Sequence, residues 1–178
     1  MSDVHRTIVS KRDTRRFSDR TISDETLARL VQASRMAGSA RAAEPVRLIL
    51  IRDQAQKDRL AACGNSTAHV RTCQVAAVFV LVPEFGVVGA PFTIFRGPFD
   101  AGRAAQNLML AAWAEGIASC PASMHNAEGA ADVLRLPEGH VVSNVIALGY
   151  PAQEPDPMTG TRPRIASDQF VHRERWNG

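Results

Sequence analysis

The first residues with chemical potential form a short cationic stretch near the amino end, residues 11–17, with the sequence KRDTRRF. If this stretch is helical, Arg12 lies three and four residues from Arg15 and Arg16, and the three guanidinium groups share one face. Such a face suits a phosphate, which carries roughly −1.5 to −2 charges and several acceptor oxygens. A single arginine-rich turn is more often a solvated basic face. The stretch is therefore a candidate anion site that needs support from the rest of the chain.

The positive charge of the chain is concentrated at the same end. The 178 residues carry a formal net charge of +3, and residues 1–20 alone hold six cationic residues against three acidic ones. This placement favours a local anion site over a basic surface that wraps around nucleic acid. Nucleic-acid binding through these arginines is disfavoured further because no aromatic stacking platform accompanies them.

The composition is typical of a globular chain with one core, at 45% hydrophobic and 22% charged residues. Cys63, Cys73 and Cys120 are an odd number without paired metal spacing, which predicts reduced thiols in a cytoplasmic protein and no metal site. We expect Cys73 and Cys120 to be buried structural thiols and most of the five histidines to lie on the surface or in loops. The longest apolar run, residues 75–82, is far shorter than the ~20 residues that cross a bilayer.

Hydrophobic periodicity predicts an α+β fold in which helices flank a sheet. Helices are expected at 3–11, 24–36, 54–63, 101–115 and 127–134, and strands at 46–52, 75–82, 117–120 and 141–149. The expected helix caps are Ser23, Asp53, Asp100 and Asn126.

Four further segments carry expectations of their own. In the first helix, Val4 and Ile8 should face inward. The small residues of the 101–115 helix allow close approach of either the chain's own sheet or a partner subunit. Residues 83–99 form a loop rich in glycine, proline and phenylalanine, and a loop this long is commonly functional. Residues 152–163 resemble a linker, and the apolar tail after them should be docked.

Side-chain motifs for catalysis are missing from the sequence. It contains no GxGxxG after a strand, no P-loop and no GxSxG elbow, and no acid–base pair is evident. If the protein is an enzyme, a bound cofactor is expected to supply the chemistry.

Taken in order, these pieces resemble the FMN-dependent nitroreductase family over nearly the whole chain. The matching segments are 11–17, 23–37, 38–45, 100–116, 117–123, 147–151 and 168–172. The resemblance implies one nitroreductase-like α+β domain over residues 1–178, with a central mixed β-sheet flanked by helices. It also implies a homodimer with two FMN sites at the subunit interface, in which a C-terminal arm, residues 163–178, embraces the partner.

The same resemblance assigns the phosphate end of the cofactor site. Lys11, Arg12 and Arg15 resemble the ligands of the FMN phosphate and ribityl chain. Asp13 falls where the family usually has a serine, although some relatives have an acid there. Arg164 resembles the C-terminal basic residue that closes on the same phosphate.

Two further segments are assigned to the flavin ring. Residues Pro121, Ala122 and Ser123 would lie beside the ring, with a backbone N–H directed at its reactive N5. The other subunit would contribute Ser39, Ala40 and Arg41.

The sequence departs from the family where amide side chains usually contact the flavin, because Ala42 and Glu44 occupy those positions. Loss of two such hydrogen bonds would weaken FMN binding by about 1–3 kcal/mol in all. An inward Glu44 would also disfavour the anionic reduced flavin.

The implied function is hydride transfer from NAD(P)H through FMN to a small aromatic acceptor, such as a nitroaromatic or a quinone. Phe92 to Phe99 would form the acceptor-side wall, or alternatively pack as ordinary core. The sequence is also compatible with two other functions. One is a flavin-consuming enzyme of the same fold, related to the branch that makes the lower ligand of cobalamin, and the other is a non-enzymatic or degenerate flavin-binding dimer.

Overall fold

The computed structural model describes residues 2–39, 42–83, 93–153 and 164–176, with only the backbone described at 93–95. The element order mixes helices and strands, which is the predicted α+β class. The elements are α1 (Asp3–Ser10), α2 (Asp24–Arg35), β1 (Val46–Ile51), α3 (Gln54–Ala61), α4 (Ala68–Thr72), β2 (Val75–Leu81), α5 (Thr93–Ala114), β3 (Ala118–Ala122), α6 (Ala127–Leu134), β4 (Val141–Gly149) and α7 (Ser167–Phe170).

The four strands form one sheet in the order β1-β2-β4-β3. All three pairings between these described strands are antiparallel, so the expected mixed sheet is wrong for this part of the chain. The reason lies in the order of the strands. The α5 crossover lets β2 and β3 run in the same direction, but β4 lies between them and pairs with both. The register places Val75 opposite Leu148 and Ala118 opposite Gly149.

The centre of the sheet is buried on both faces. Strand β2 has the sequence VAAVFVL, and its first six residues are buried. One face packs against α2 and α5 around Phe79 and Leu108, and the other packs around Leu60 and Val78. This arrangement confirms the prediction that the continuous apolar run at 75–82 is a central strand.

Local signals placed α2 and α6 correctly. The Ser23 hydroxyl accepts the Thr26 N–H at 3.2 Å, and the Asn126 side chain accepts the Gly129 N–H at 2.9 Å. Both are ordinary N-caps. Leu27 and Leu30 on the inner face of α2 are buried, as their helical spacing predicts.

Helix α5 is longer than expected, and Asp100 is not its cap. The helix begins at Thr93 and includes Pro98, so Asp100 lies inside it and is 4% exposed. The Gly97-Pro98 pair predicts a break, because proline lacks the N–H of the helical ladder. The helix continues through this pair, which shortens the expected 83–99 loop. Of that loop, residues 84–92 lie outside the described part, and so do residues 154–163 of the expected linker.

Small residues of α5 pack within the chain rather than at an open surface. Ala101, Ala104 and Ala105 are buried, and the latter two belong to the core that includes α2 and the sheet. This outcome decides between the two alternatives left open for the small-residue stripe. The short helix α4 was not predicted at all.

Two apolar surfaces remain exposed on the single chain. Val4 and Ile8 of α1 are 69% and 52% exposed, so the expected inward orientation is wrong. In the tail, Phe170 and Trp176 are 73% and 76% exposed. Within the described residues, no helix combines the length and the apolar character that a bilayer span requires.

Candidate cofactor site

The cationic stretch at residues 11–17 is extended rather than helical. Helix α1 ends at Ser10, and backbone bridges then join Asp13 to Ser119 and Phe17 to Pro151. The Thr14 N–H donates to the Ser119 carbonyl at 3.0 Å. The stretch leaves the helix because the outer edge of β3 offers backbone partners to it. Extended geometry places the stretch directly alongside β3.

The predicted helical face shared by Arg12, Arg15 and Arg16 is therefore wrong. The Arg12 guanidinium folds back and donates to the Val9 carbonyl at 2.8 Å and to the Lys11 carbonyl at 2.9 Å. These bonds satisfy carbonyl groups at the end of α1. Arg12 is thus partly committed to the helix terminus, whereas Arg15 is exposed beside β3.

Lys11 and Asp13 form an ion pair at the boundary between core and solvent. The Lys11 side chain is 10% exposed, whereas that of Asp13 is 51% exposed. The Lys11 ammonium also lies 3.7 Å from the Met109 sulfur of α5. The buried alkyl stem holds this ammonium group in a restricted position, as an anion ligand requires.

The charges of the stretch act on the pKa of the Cys120 thiol in β3. Burial raises the pKa of the Cys120 thiol, Arg15 and Lys11 lower it, and Asp13 raises it. Burial likewise raises the pKa of the Cys73 thiol to about 11. Both cysteines are buried, as expected, and a thiol with a raised pKa is a poor nucleophile.

The outer edge of β3 carries the next part of the site. The Ser119 backbone faces the cationic stretch, and two residues further on the Pro121 carbonyl accepts a hydrogen bond from the His69 Nε2–H at 3.1 Å. Because strand residues alternate, Ser119 and Pro121 direct their backbone groups to this same edge, and Ser123 follows directly after the strand. Pro121 and Ser123 are exposed, and Ala122 packs into the core.

His69 was missed by sequence reasoning. It is 4% exposed on α4, and burial lowers its pKa, opposed by its bond to Pro121. The expectation that most histidines lie on the surface or in loops fails for this one. His69 is the second residue of α4, and this helix of five residues is too short to give a periodic signal of burial.

A second group of predicted residues lies between the end of α2 and the start of β1. Here Ser39 donates its hydroxyl to the Asp100 carboxylate at 2.9 Å and accepts the Glu44 N–H at 2.9 Å. Ala42 and Glu44 have φ angles of 53° and 46°. Ala40 and Arg41, which were assigned to the flavin with Ser39, lie outside the described residues.

A cavity of about 290 Å³ lies beneath this segment. Val46, Leu48 and Phe79 line its apolar floor, and Ser39 and Glu44 line its polar side. The remaining predicted ligand, Arg164, is exposed at the start of the described tail. Its contact with a phosphate stays a prediction.

The described residues fit an anionic, phosphorylated cofactor better than a metal. Lys11 and Arg15 place two cationic groups beside β3, and the buried Ser119 hydroxyl has no hydrogen-bond partner within the described part of the chain. Buried hydroxyl groups normally have partners, so this one marks a place where polar contacts are incomplete. Among the same residues, no group of histidine, cysteine or acidic side chains could hold a metal ion.

Comparisons with known proteins find relatives over nearly the whole chain. An Archaeoglobus fulgidus protein named NADH dehydrogenase/NAD(P)H nitroreductase is 29% identical to this chain. The alignment covers 99% of this chain and the whole length of that protein. The NADPH-flavin oxidoreductase of Vibrio harveyi is 28% identical over 99% of this chain and 75% of its own length. The solved structure of the Vibrio harveyi NADPH:FMN oxidoreductase complexed with NAD⁺ superimposes with a TM-score of 0.89 at 25% identity, covering 99% of this chain and 79% of that one.

The sequence model described as the Nitroreductase family matches residues 8–150, which include the cationic stretch, α5, β3 and the whole sheet. The match covers about four fifths of the chain, including every strand of the sheet. The chain belongs to the Nitroreductase family.

Proposed function

We propose that this enzyme is an FMN-dependent oxidoreductase that passes hydride from NAD(P)H to a small aromatic acceptor, such as a nitroaromatic or a quinone. The observation that carries the proposal is the seating of the cationic stretch against the outer edge of β3 through the Thr14–Ser119 hydrogen bond. That contact brings the candidate phosphate ligands next to the candidate ring contacts. The names of the Vibrio harveyi relative and of the FMN reductase (NADPH) of Bacillus subtilis support the choice of FMN and NADPH.

At the phosphate end, Lys11 and Arg15 are the proposed direct ligands. The ammonium of Lys11 is held by its buried stem, and Arg15 is free to extend a guanidinium fork towards phosphate oxygens. Arg12 would contribute mainly by ending α1 where it does, since its guanidinium group donates to two carbonyls there. Asp13 would reduce the net positive charge of the phosphate site through its ion pair with Lys11. Arg164 would close on the phosphate from the tail.

At the ring end, the outer edge of β3 offers a backbone contact at a defined place. Pro121 has no N–H, and its carbonyl is occupied by His69. If the alternation continues one residue past the end of β3, the next N–H on this edge belongs to Ser123. Ser123 is therefore the proposed donor to N5. When bound, FMN supplies the hydride chemistry, while these residues bind it, orient its ring and exclude water from one face.

The proposed site is shared between two copies of the chain. Val4 and Ile8 of α1 and the apolar tail are exposed on a single chain, which supports their burial in a homodimer. In that dimer, the arm at 163–178 would embrace the partner, and Ser39, Ala40, Arg41 and Glu44 would approach the partner's flavin.

Purified protein provides the test. We expect a yellow dimer whose flavin absorption is bleached by NADPH without oxygen and restored by a quinone. Yellow protein that neither NADH nor NADPH bleaches would support flavin storage instead. Colourless protein that binds no added FMN would refute the proposal. Three buried free thiols fit a reducing compartment, so we place this activity in the cytoplasm.

A further inference from the structure

The segment between α2 and β1 has an uncommon backbone conformation. Ala42 and Glu44 have φ angles of 53° and 46°, in the left-handed region that residues with a Cβ rarely adopt. Two such residues so close together persist only when surrounding contacts hold them. Strain of this kind commonly occurs at ligand sites, and this segment adjoins the residues proposed to approach the partner's flavin.

Two consecutive hydrogen bonds connect this segment to the core. The Glu44 N–H donates to the Ser39 hydroxyl oxygen at 2.9 Å, and that hydroxyl in turn donates to the Asp100 carboxylate at 2.9 Å. A hydroxyl that donates to a carboxylate is held in one orientation, so its lone pairs are fixed towards Glu44. The left-handed conformation at residue 44 therefore depends on a carboxylate that is 56 residues away in sequence.

Asp100 is well suited to act as a fixed anchor. It lies inside α5, its side chain is 5% exposed, and the Arg103 guanidinium lies 3.9 Å from it. Arg103 also covers Gly38, where an added Cβ would lie only 2.5 Å from the guanidinium nitrogen. Glycine at position 38 thus permits the close packing that shields the carboxylate.

We propose that Asp100 is a positioning residue for the cofactor, which acts through Ser39 to hold residues 42–44 in their left-handed conformation. The proposal rests on the function proposed above and names how the segment facing the partner's flavin is held. Asp100 itself contacts no cofactor in this account. Its role replaces the helix cap that the sequence predicted for it.

The test compares four variants: Ser39→Ala, Asp100→Ala, Asp100→Asn and the double variant Ser39→Ala with Asp100→Ala. The rate of hydrogen exchange at the Glu44 amide, measured in cofactor-free protein, reports directly whether its bond to the Ser39 hydroxyl is intact. Titration with FMN then measures how much the affinity for the cofactor depends on that bond. We expect the two single alanine variants to lose protection of that amide and to raise the FMN dissociation constant by roughly tenfold. Asp100→Asn, which retains an acceptor oxygen for Ser39, should stay close to wild type.

Two comparisons separate positioning from general loss of stability. Ser34→Ala is the matched control, because the Ser34 hydroxyl also joins α2 to α5, by donating to the Ala104 carbonyl at 3.0 Å. This variant should lower the melting temperature and leave FMN affinity unchanged. Adding Ala42→Gly to Ser39→Ala should recover part of the affinity, because glycine adopts a positive φ readily.

The results distinguish this inference from the proposed function. The double variant should bind FMN no more weakly than either single variant, since both changes break the same chain of bonds. Additive losses, an equal loss in Ser34→Ala, or unchanged Glu44 exchange in Ser39→Ala would overturn the role of Asp100 and leave FMN binding by the wild type intact. Wild-type protein that binds no FMN would refute the proposed function, and with it a role in positioning a cofactor.

Discussion

Replacing Arg15 with alanine should weaken the binding of FMN and leave the binding of riboflavin unchanged. Arg15 is exposed beside β3, and its charge acts on the buried Cys120 thiol together with that of Lys11. If these two cations hold the cofactor's phosphate, riboflavin, which has no phosphate, does not use them. The ratio of the two affinities therefore measures the phosphate contact alone.

The expected size of the effect follows from the exposure of Arg15. A charge-assisted hydrogen bond contributes about 1.5–3 kcal/mol when it is well shielded. Solvent screening at an exposed side chain reduces this contribution to about 1 kcal/mol. The FMN dissociation constant should then rise by roughly fivefold in Arg15→Ala. Removing Arg12 as well should raise it further, through the weakened end of α1.

Fluorescence titration of cofactor-free protein with each flavin, at low and high salt, provides the assay. Arg59→Ala is the matched control, because Arg59 is exposed on α3 and its removal changes the net charge by the same amount. FMN affinity should fall with salt in the wild type and less steeply in Arg15→Ala. Riboflavin affinity should not depend on salt in either protein.

Two results would refute this reasoning. Equal losses of FMN and riboflavin affinity in Arg15→Ala would mean that the residue supports the fold of the site and not the phosphate. An equal loss of FMN affinity in Arg59→Ala would mean that only the overall charge of the protein matters.

Three other predictions concern packing and titration. Gly149→Ala should lower the free energy of unfolding, measured in urea, by about 1–3 kcal/mol, because the added Cβ would lie 2.8 Å from the Phe17 ring. Its control is Gly102→Ala in α5, where nothing lies within 4 Å of the added Cβ; this change should raise the free energy of unfolding by about 0.8–1 kcal/mol. Burial lowers the pKa of His69, so the folded protein binds fewer protons than the unfolded chain below pH 6.5. The free energy of unfolding should therefore fall as the pH drops through that region, and His69→Gln should flatten this part of the pH profile. The pKa of Cys73, raised to about 11 by burial, predicts slow modification by a thiol reagent at pH 8 in folded protein and rapid modification in urea.

Elements with a complete local signal were predicted within a few residues. Helix α6 has an asparagine cap and a short apolar face, and it lies at 127–134 as expected. Strand β2 has a continuous apolar run that only a doubly covered strand accommodates. In these elements, local sequence preference and burial favour the same structure.

Expectations failed where contacts between distant parts of the chain decide the structure. Residues 11–17 have a helical charge pattern, yet the free edge of β3 draws them into an extended conformation. The expected Asp100 cap predicts a helix that begins at residue 101, but burial of Asp100 and its hydrogen bond with Ser39 favour a helix that already includes Asp100. Local patterns carry no information about these partners, because they lie more than fifty residues away.

The candidate site could be assigned from the sequence only in part for the same reason, and its contacts with a cofactor stay predictions. The phosphate ligands and the β3 residues were assigned by resemblance, and the structure brings Lys11, Asp13 and Arg15 to the edge that carries Pro121. His69 donates to the Pro121 carbonyl, and Asp100 accepts from the Ser39 hydroxyl that holds the Glu44 N–H; neither residue has a motif of its own. Supporting residues of this kind are defined by their distance to a backbone atom and not by spacing in sequence.

A crystal structure of the FMN complex tests the central claim most directly. It should show the flavin phosphate within hydrogen-bond distance of Lys11 and Arg15, and the ring against residues 121–123. Ser39 and Glu44 of the second copy should approach the opposite side of the ring. A flavin bound elsewhere, with both cations directed into solvent and a single chain completing its site, would contradict the account.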